Sequence, residues 1–381
     1  MRAPHPPRWQ IRLSALVVAP MMLALCAPAP VNAASVGLVP AGATASFGPG
    51  AAWFVSASQG WALGTVKCGA AHCAQLLRTS NGGGSWAPVH LPAAVQHWPQ
   101  RQFGPPLAIR FADSNDGWIF SNAAGEELDD VWSTHNGGEH WTVGHFFPTA
   151  VAAGVEDIEA SGGVVTAAVV VGSDVDLFSA HVTGGSWQRS LAGLAVGAGP
   201  VPGGQLALAG SHGWFIENNR VVVSGAREVS PGHWAAWAAP CSKAGGPAVL
   251  VPTTTTGDLD AVCTEGVWTG QKISIDLLSS HNAGTSFAPG TRLPVAATSV
   301  GAAAAAGPSV LAVGTNEDLE MSFDGGTSWQ KAYSVGPLLL WQQVNFWTPQ
   351  YGTAILLGND GQAGVMLSTQ DSGRHWHKVT F

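Results

Sequence analysis

The chain has 381 residues, of which 16 are basic and 24 acidic, and its charged fraction is only 10%. No surplus of Lys and Arg exists to neutralise phosphates, which excludes a basic nucleic-acid groove. With 49 Gly and 17 Trp, the composition points to a compact all-β protein rich in turns.

Residues 1–33 read as a signal peptide and are set aside from the fold. Arg2, Arg8 and Arg12 form a basic leader, residues 13–27 are apolar apart from the break at Pro20, and Val31-Asn32-Ala33 suits signal peptidase. Cys26 follows Leu23-Ala24-Leu25, a poor lipobox because Leu25 stands where Gly, Ala or Ser is wanted. The expectation is export with cleavage, and membrane retention by a lipid or an uncleaved signal is the alternative. Removing the leader leaves 13 basic residues against 24 acidic ones. No later stretch reads as a transmembrane span: residues 191–210 lack charge but carry too much Gly and Pro for a bilayer helix. Residues 34–50, rich in Pro and Gly, read as extended, and 51–381 as one repeat domain.

The repeat is a short turn, found in RTSNGGGSW (78–86), STHNGGEHW (133–141), SAHVTGGSW (179–187), SSHNAGTSF (279–287), MSFDGGTSW (321–329) and LSTQDSGRHW (367–376). Counting back from the closing aromatic, position −3 is always Gly: Gly83, Gly138, Gly184, Gly284, Gly326 and Gly373. Position −5 is Asn81, Asn136, Asn282, Asp324 or Asp371, with Val182 in the weak copy. An Asx side chain accepts main-chain N–H bonds and closes a turn, Gly tolerates the left-handed backbone, and the aromatic buries a large apolar area. A second register finds a unit whose turn has decayed. Gly lies 24 residues before the closing aromatic in Gly117/Trp141, Gly163/Trp187 and Gly352/Trp376, and Gly213 precedes Trp237 by the same distance. Closing aromatics Trp86, Trp141, Trp187, Trp237, Phe287, Trp329 and Trp376 mark seven units of about forty to fifty-five residues. A single seven-bladed β-propeller is the fold this spacing predicts. Strand-like runs such as 107–111, 117–121, 164–171, 205–209 and 353–358, bounded by Gly, Pro or Asn, agree with it.

These turns resemble the Asp-box, or BNR repeat, S-x-D-x-G-x-x-W. The Gly-Trp pairs Gly60-Trp61 and Gly117-Trp118, each followed by a box, are most similar to propellers of the photosystem II assembly and stability factor type and their secreted bacterial relatives. The resemblance spans residues 50–381. It implies the propeller fold and a role in assembling or binding an exported or membrane complex. Sialidases and xyloglucan hydrolases share such turns, so the resemblance to the box does not choose a function.

Four cysteines remain after the leader, in two local pairs. Cys68 with Cys73, and Cys241 with Cys263, read as two disulfides bridging neighbouring strands within a blade. A zinc site on Cys68, His72 and Cys73 lacks a fourth ligand nearby.

Catalytic residues are not evident. A sialidase needs an arginine triad and a Tyr nucleophile with an acid partner. Tyr333 and Tyr351 are the two tyrosines, and Tyr351 reads as a turn residue. Arg110 is the one candidate for the family's N-terminal arginine, in a context lacking the Ile-Pro order. Acids cluster at Asp113, Asp116, Glu126, Glu127, Asp129 and Asp130, then at Glu156, Asp157, Glu159, Asp174 and Asp176. They are expected to form a solvated rim on two adjacent blades, although distant acids such as Asp113 and Asp258 could meet in a central funnel. His135, His181 and His281 share box position −6, and His140 and His375 share −1; one per blade, they cannot share a metal. Trp98, Trp132, Trp234, Trp268, Trp341 and Trp347 lie outside both registers, where an exposed ring could stack on a sugar or peptide. The reading is a secreted, monomeric, cofactor-free module that binds or scaffolds an extracellular or envelope protein or glycan. Glycoside hydrolysis is the alternative.

Overall fold

A computed structural model of the chain describes residues 47–69, 71–96, 107–121, 131–146, 153–196, 203–219, 221–253, 257–265, 273–295, 297–316, 318–334, 340–357 and 364–381. The leader reading, the acidic run 126–130, Trp98 and Trp268 lie outside these residues. The described residues form 28 strands, numbered β1–β28 in chain order, and one helical turn at Ala93–Gln96. They make seven sheets of four antiparallel strands, each sheet built from consecutive strands. The fold is a seven-bladed β-propeller.

The innermost strands are β1 (Gly48–Phe54), β5 (Leu107–Phe111), β9 (Ala153–Ser161), β13 (Gly203–Ala209), β17 (Ala248–Pro252), β21 (Val300–Gly307) and β25 (Leu340–Phe346). Gly48–Gly50 thus begin the inner strand of blade one. Blade seven draws all four strands from the C-terminal end, the outermost being His377–Lys378. Among the described residues no strand is shared across the seam between blades seven and one.

The core lies between blades. Trp61, Leu76, Ile109 and Phe111 fill the first interface; Phe120, Ile158 and Phe178 the second; Leu177, Phe215 and Trp234 the third. The Gly at the start of the second strand in blades one, two and seven has a packing cause. A Cβ on Gly60, Gly117 or Gly352 would stand 2.3, 2.4 or 2.7 Å from the ring of Phe54, Phe111 or Phe346, which closes the preceding inner strand. Trp61 stacks on Phe111 of the next blade, with centroids 3.6 Å apart and planes 4° apart.

In five boxes the same hydrogen bonds recur. The hydroxyl at −7 donates to the Asx oxygen at −5 and accepts the Gly N–H at −3, while the Asx oxygen accepts the N–H at −1. Thr79, Asn81, Gly83 and Ser85 do this at 2.9 Å in each bond. Thr134/Asn136, Ser280/Asn282, Ser322/Asp324 and Thr369/Asp371 repeat it. Gly83, Gly138, Gly184, Gly284, Gly326 and Gly373 all take positive φ, between 74° and 111°. In the weak copy Val182 is buried against Phe178 and Trp187, so packing replaces the polar cap.

The box also holds its neighbour. Trp61 Nε1 donates to Gly137 O at 3.2 Å, and Trp214 Nε1 to Ala283 O at 3.1 Å, each reaching the residue at −4 in the next blade's box. Across the seam Tyr351 Oη donates to Gly82 O at 3.2 Å, the corresponding carbonyl of blade one. Tyr351 closes the turn before Gly352, its carbonyl accepting the N–H of Trp347, and its ring, buried against Phe54, makes it a seam residue as well. Gln343 adds a two-bond clasp to the main chain of Ala52, 2.9 Å to the N–H and 2.8 Å to the carbonyl.

Cys68 and Cys73 are joined across the β2–β3 hairpin (Gly60–Cys68 and Ala71–Thr79), with Cα atoms 5.8 Å apart. Cys241 and Cys263 are joined with Cα atoms 5.4 Å apart. Cys241 lies in the turn before β17, not on a strand, so this bond ties the connection into blade five to that blade's second strand, Leu259–Glu265.

Candidate functional site: the central channel

The seven inner strands surround a cavity of about 750 Å³, within the range of small-molecule and peptide sites. Its walls are largely small or amide residues, including Ala207, Ala209, Ala303, Gln205, Gln342 and Asn345. No box residue lines it; the boxes cap the turn between the third and fourth strands of each blade.

One side is different. Arg110 on β5 meets two acids of β9: its Nη2 donates to Asp157 Oδ1 and its Nε to Glu159 Oε1, both at 2.8 Å. Trp53 of β1 covers the guanidinium, whose carbon is 4.6 Å from the ring centroid, a desolvated cation–π contact. Trp53 Nε1 is in turn fixed on Phe111 O. Three consecutive blades therefore contribute to one cluster.

Asp157 is the most enclosed member. Its Oδ2 accepts the N–H of Leu206 from blade four at 3.0 Å, so it links blades two, three and four. Burial raises its pKa while Arg110 and the main-chain donors oppose the rise. Burial also pushes Glu159 up to about 8, against the pull of Arg110 and reinforced by Asp157. Glu159 Oε2 makes no hydrogen bond among the described residues. With one guanidinium between two carboxyls, the cluster holds one more acid than base.

Of the acids of blade three, Asp174 is exposed as the solvated rim expected from sequence requires, whereas Glu156 and Glu159 are half-buried and Asp157 and Asp176 buried. Asp157 and Asp176 are 7% and 4% exposed. Asp176 accepts a main-chain N–H from Gly193, and Glu156 turns into the interface with blade four, where its carboxyl oxygens are buried. In blade two, Asp116 is buried and pairs with His135, while Asp113 caps the turn at Asn115 and Asp116. Asp258 pairs with His281 at 3.1 Å. Asp113 and Asp258 serve separate turns and do not meet in the channel. The box histidines are spread over four blades, His135 and His140 sharing one box, and among the described residues no group of three or more His, Cys, Asp or Glu is placed to hold a metal.

Of the aromatics outside the registers, Trp132, Trp234 and Trp341 are core, whereas Trp347 lines the channel and packs on Trp53 at 4.8 Å. Sequence reasoning missed Trp53 altogether and misassigned Asp157 and Glu159. The cause is a bulge at Glu156, where the pairing shifts between Ala168 and Val169. It puts Val155 and Ile158 into one core despite odd spacing, so the period of two that marks an inner strand is broken where the acids sit.

No protein-family model and no curated protein matches this chain. Solved structures do match in fold. YCF48 bound to D1 peptide superposes with a TM-score of 0.55 at 19% identity, over 86% of this chain and 94% of that one. YCF48 from Cyanidioschyzon merolae gives 0.54 at 14%, over 85% and 95%. An ulvan lyase of polysaccharide lyase family PL25, bound to -[GlcA(1-4)Rha3S]-, gives 0.54 at 9%, over 86% and 95%. At these identities the likeness is one of fold. Among the described residues no helix is long and apolar enough to cross a membrane.

Proposed function

We propose that this protein is an exported binding or scaffolding module whose central channel receives a segment of an extracytoplasmic partner protein. The observation that carries this reading is the fixed Arg110–Asp157–Glu159 cluster under Trp53. Both carboxyls are held by one guanidinium and Asp157 by two further N–H groups. Such a group is built to recognise, since glycoside hydrolysis wants two carboxyls on opposite sides of a sugar, one free to protonate and the other to attack or activate water. Export is supported by the leader reading and by the two disulfides, which persist in oxidising compartments. A solved propeller of this fold holding a peptide adds support for a protein ligand.

The test places a photo-crosslinking residue at Gln342, exposed in the channel, and a control at Val229, exposed on blade four. Irradiation in the native envelope should give a defined protein adduct from position 342 and none from 229. No adduct from the channel, or equal labelling from both sites, refutes the reading. Sustained glycan cleavage on a substrate panel, abolished in Asp157→Asn, would replace it with the enzyme.

A further inference from the structure

Among the described residues the titratable groups that line the channel are Arg110, Asp157 and Glu159; the walls from β13, β17, β21 and β25 contribute apolar and amide groups. Arg110 has its Nε, Nη1 and Nη2 engaged, by Glu159, the carbonyl of Ile109 and Asp157, and its face is covered by Trp53. Three of its five N–H donors are taken in this way, two of them by carboxylates that already balance its charge. Glu159, by contrast, has one oxygen without a partner, and its side chain keeps 17% exposure inside a cavity large enough for a ligand. Trp53, stacked over Arg110, and Trp347, packed on Trp53, line the same channel, and aromatic ring faces favour cations.

We infer that the channel binds an organic cation, an alkylammonium or guanidinium group, with Glu159 as its counter-ion and Trp53 and Trp347 beside it. This rests on the binding-module reading and names the chemistry the ligand presents. The cation arrives where the cluster lacks one. Its charge balances the second carboxyl, so Arg110, Asp157, Glu159 and the ligand form two ion pairs. Glu159 holds its proton up to about pH 8 in the empty channel; Arg110, Asp157 and, behind Asp157, Glu156 are the charged or titratable groups that surround it. Cation binding therefore displaces that proton, and affinity rises with pH until Glu159 is ionised without help.

Two sources could present this cation, a lysine or arginine side chain of a partner or a free amine. Titration calorimetry on the purified exported protein separates them with agmatine and n-butylamine on one arm and the blocked tripeptide Ac-Ala-Lys-Ala-NH2 on the other. Acetate and glucuronate are the anion controls. Binding on either arm should strengthen about tenfold per pH unit between pH 6 and 8 and weaken at least tenfold in Glu159→Gln. Since that variant removes a partner of Arg110, Gln342→Glu is a second probe; it adds a carboxylate at an exposed channel position and should tighten the same cations. Binding to the peptide alone identifies a protein-borne cation, and to the amines alone a small-molecule one. The inference is overturned if no cation binds, if Glu159→Gln binds as well as wild type, or if the anions bind and the cations do not. A channel crosslink to a protein without cation binding would sink this inference and leave the binding-module reading standing. Cation binding without any crosslink would do the reverse.

Discussion

At Gly326 two requirements coincide. Its φ is +87°, and a Cβ built there would lie 2.3 Å from Leu277 Cδ2 of blade five. Its N–H also completes the box by donating to Ser322 Oγ at 2.8 Å. A β-branched residue resists positive φ, so Gly326→Val should destabilise the protein by about 1–3 kcal/mol, read as a lower urea midpoint. An unchanged midpoint would mean that neither the backbone angle nor the contact with Leu277 matters. Gly117 offers a contrast. Its backbone is ordinary, and the obstacle is the Phe111 ring 2.4 Å from the added Cβ. Gly117→Ala should therefore destabilise wild type more than it does a Phe111→Leu background, a coupling that a double-mutant cycle detects. Strict additivity would refute the packing explanation for this glycine.

Between elements, stability turns on how one blade grips the next. Interior interfaces combine large apolar area with a ring N–H bonded to the following box, as in Trp61 to Gly137 and Trp214 to Ala283. The seam uses Tyr351 and Gln343 for that purpose, together with Phe381 packed on Phe47 at 4.6 Å and on Trp86 at 5.1 Å. Tyr351→Phe keeps the ring and removes the hydroxyl, leaving Gly82 O without that donor; a loss of about 1 kcal/mol is expected. Hydrogen exchange should locate the loss at the seam strands, β1 and Gly352–Leu357, and uniform acceleration around the ring would contradict that placement. The propeller was legible in the sequence because each box must hold a special backbone angle and an aromatic in fixed register, and chemistry of that kind recurs visibly. The channel was not legible. Trp53, Arg110 and Glu159 come from three blades, no spacing rule joins them, and the Glu156 bulge makes inner-strand acids look like an exposed run. Tyr351 was hidden for a related reason: its partner Gly82 lies at the other end of the chain, and only closure of the ring brings them together.

For the whole molecule, the buried acids set the response to pH. Glu156 on β9 and Glu217 on the second strand of blade four, His212–Asn219, face each other across the blade interface, and no oxygen of either has a hydrogen-bond partner of good geometry. Burial raises Glu156 to about 9, helped by its carboxyl neighbour, and raises Glu217 to about 7; Glu159 in the channel stands at about 8. All three lie above the ordinary value of 4.5. Below that value the folded and unfolded chains are protonated alike, and the buried acids carry no penalty. As pH rises the unfolded chain releases these protons first, so the folded state binds more of them and its stability falls until the folded values are passed near pH 7 to 9. Asp371 acts in the opposite sense. Slight burial raises it, but bonds from His375 and Thr369 bring it down to about 2, and its contribution is lost only as pH falls below about 4. Stability should therefore peak in mild acid and decline between pH 6 and 8, where the folded chain retains about two of these three protons and each contributes about 1.4 kcal/mol per pH unit. Denaturant titrations across pH 4 to 9 measure it. In Glu217→Gln the decline should flatten and the protein should be more stable than wild type at pH 9, because Glu156 then faces an amide where a second acid stood. Stability that rises from pH 5 to 9, or a variant whose profile parallels wild type, would show that the pair is ionised and partnered in the folded protein, and would remove the burial argument for Glu159 with it.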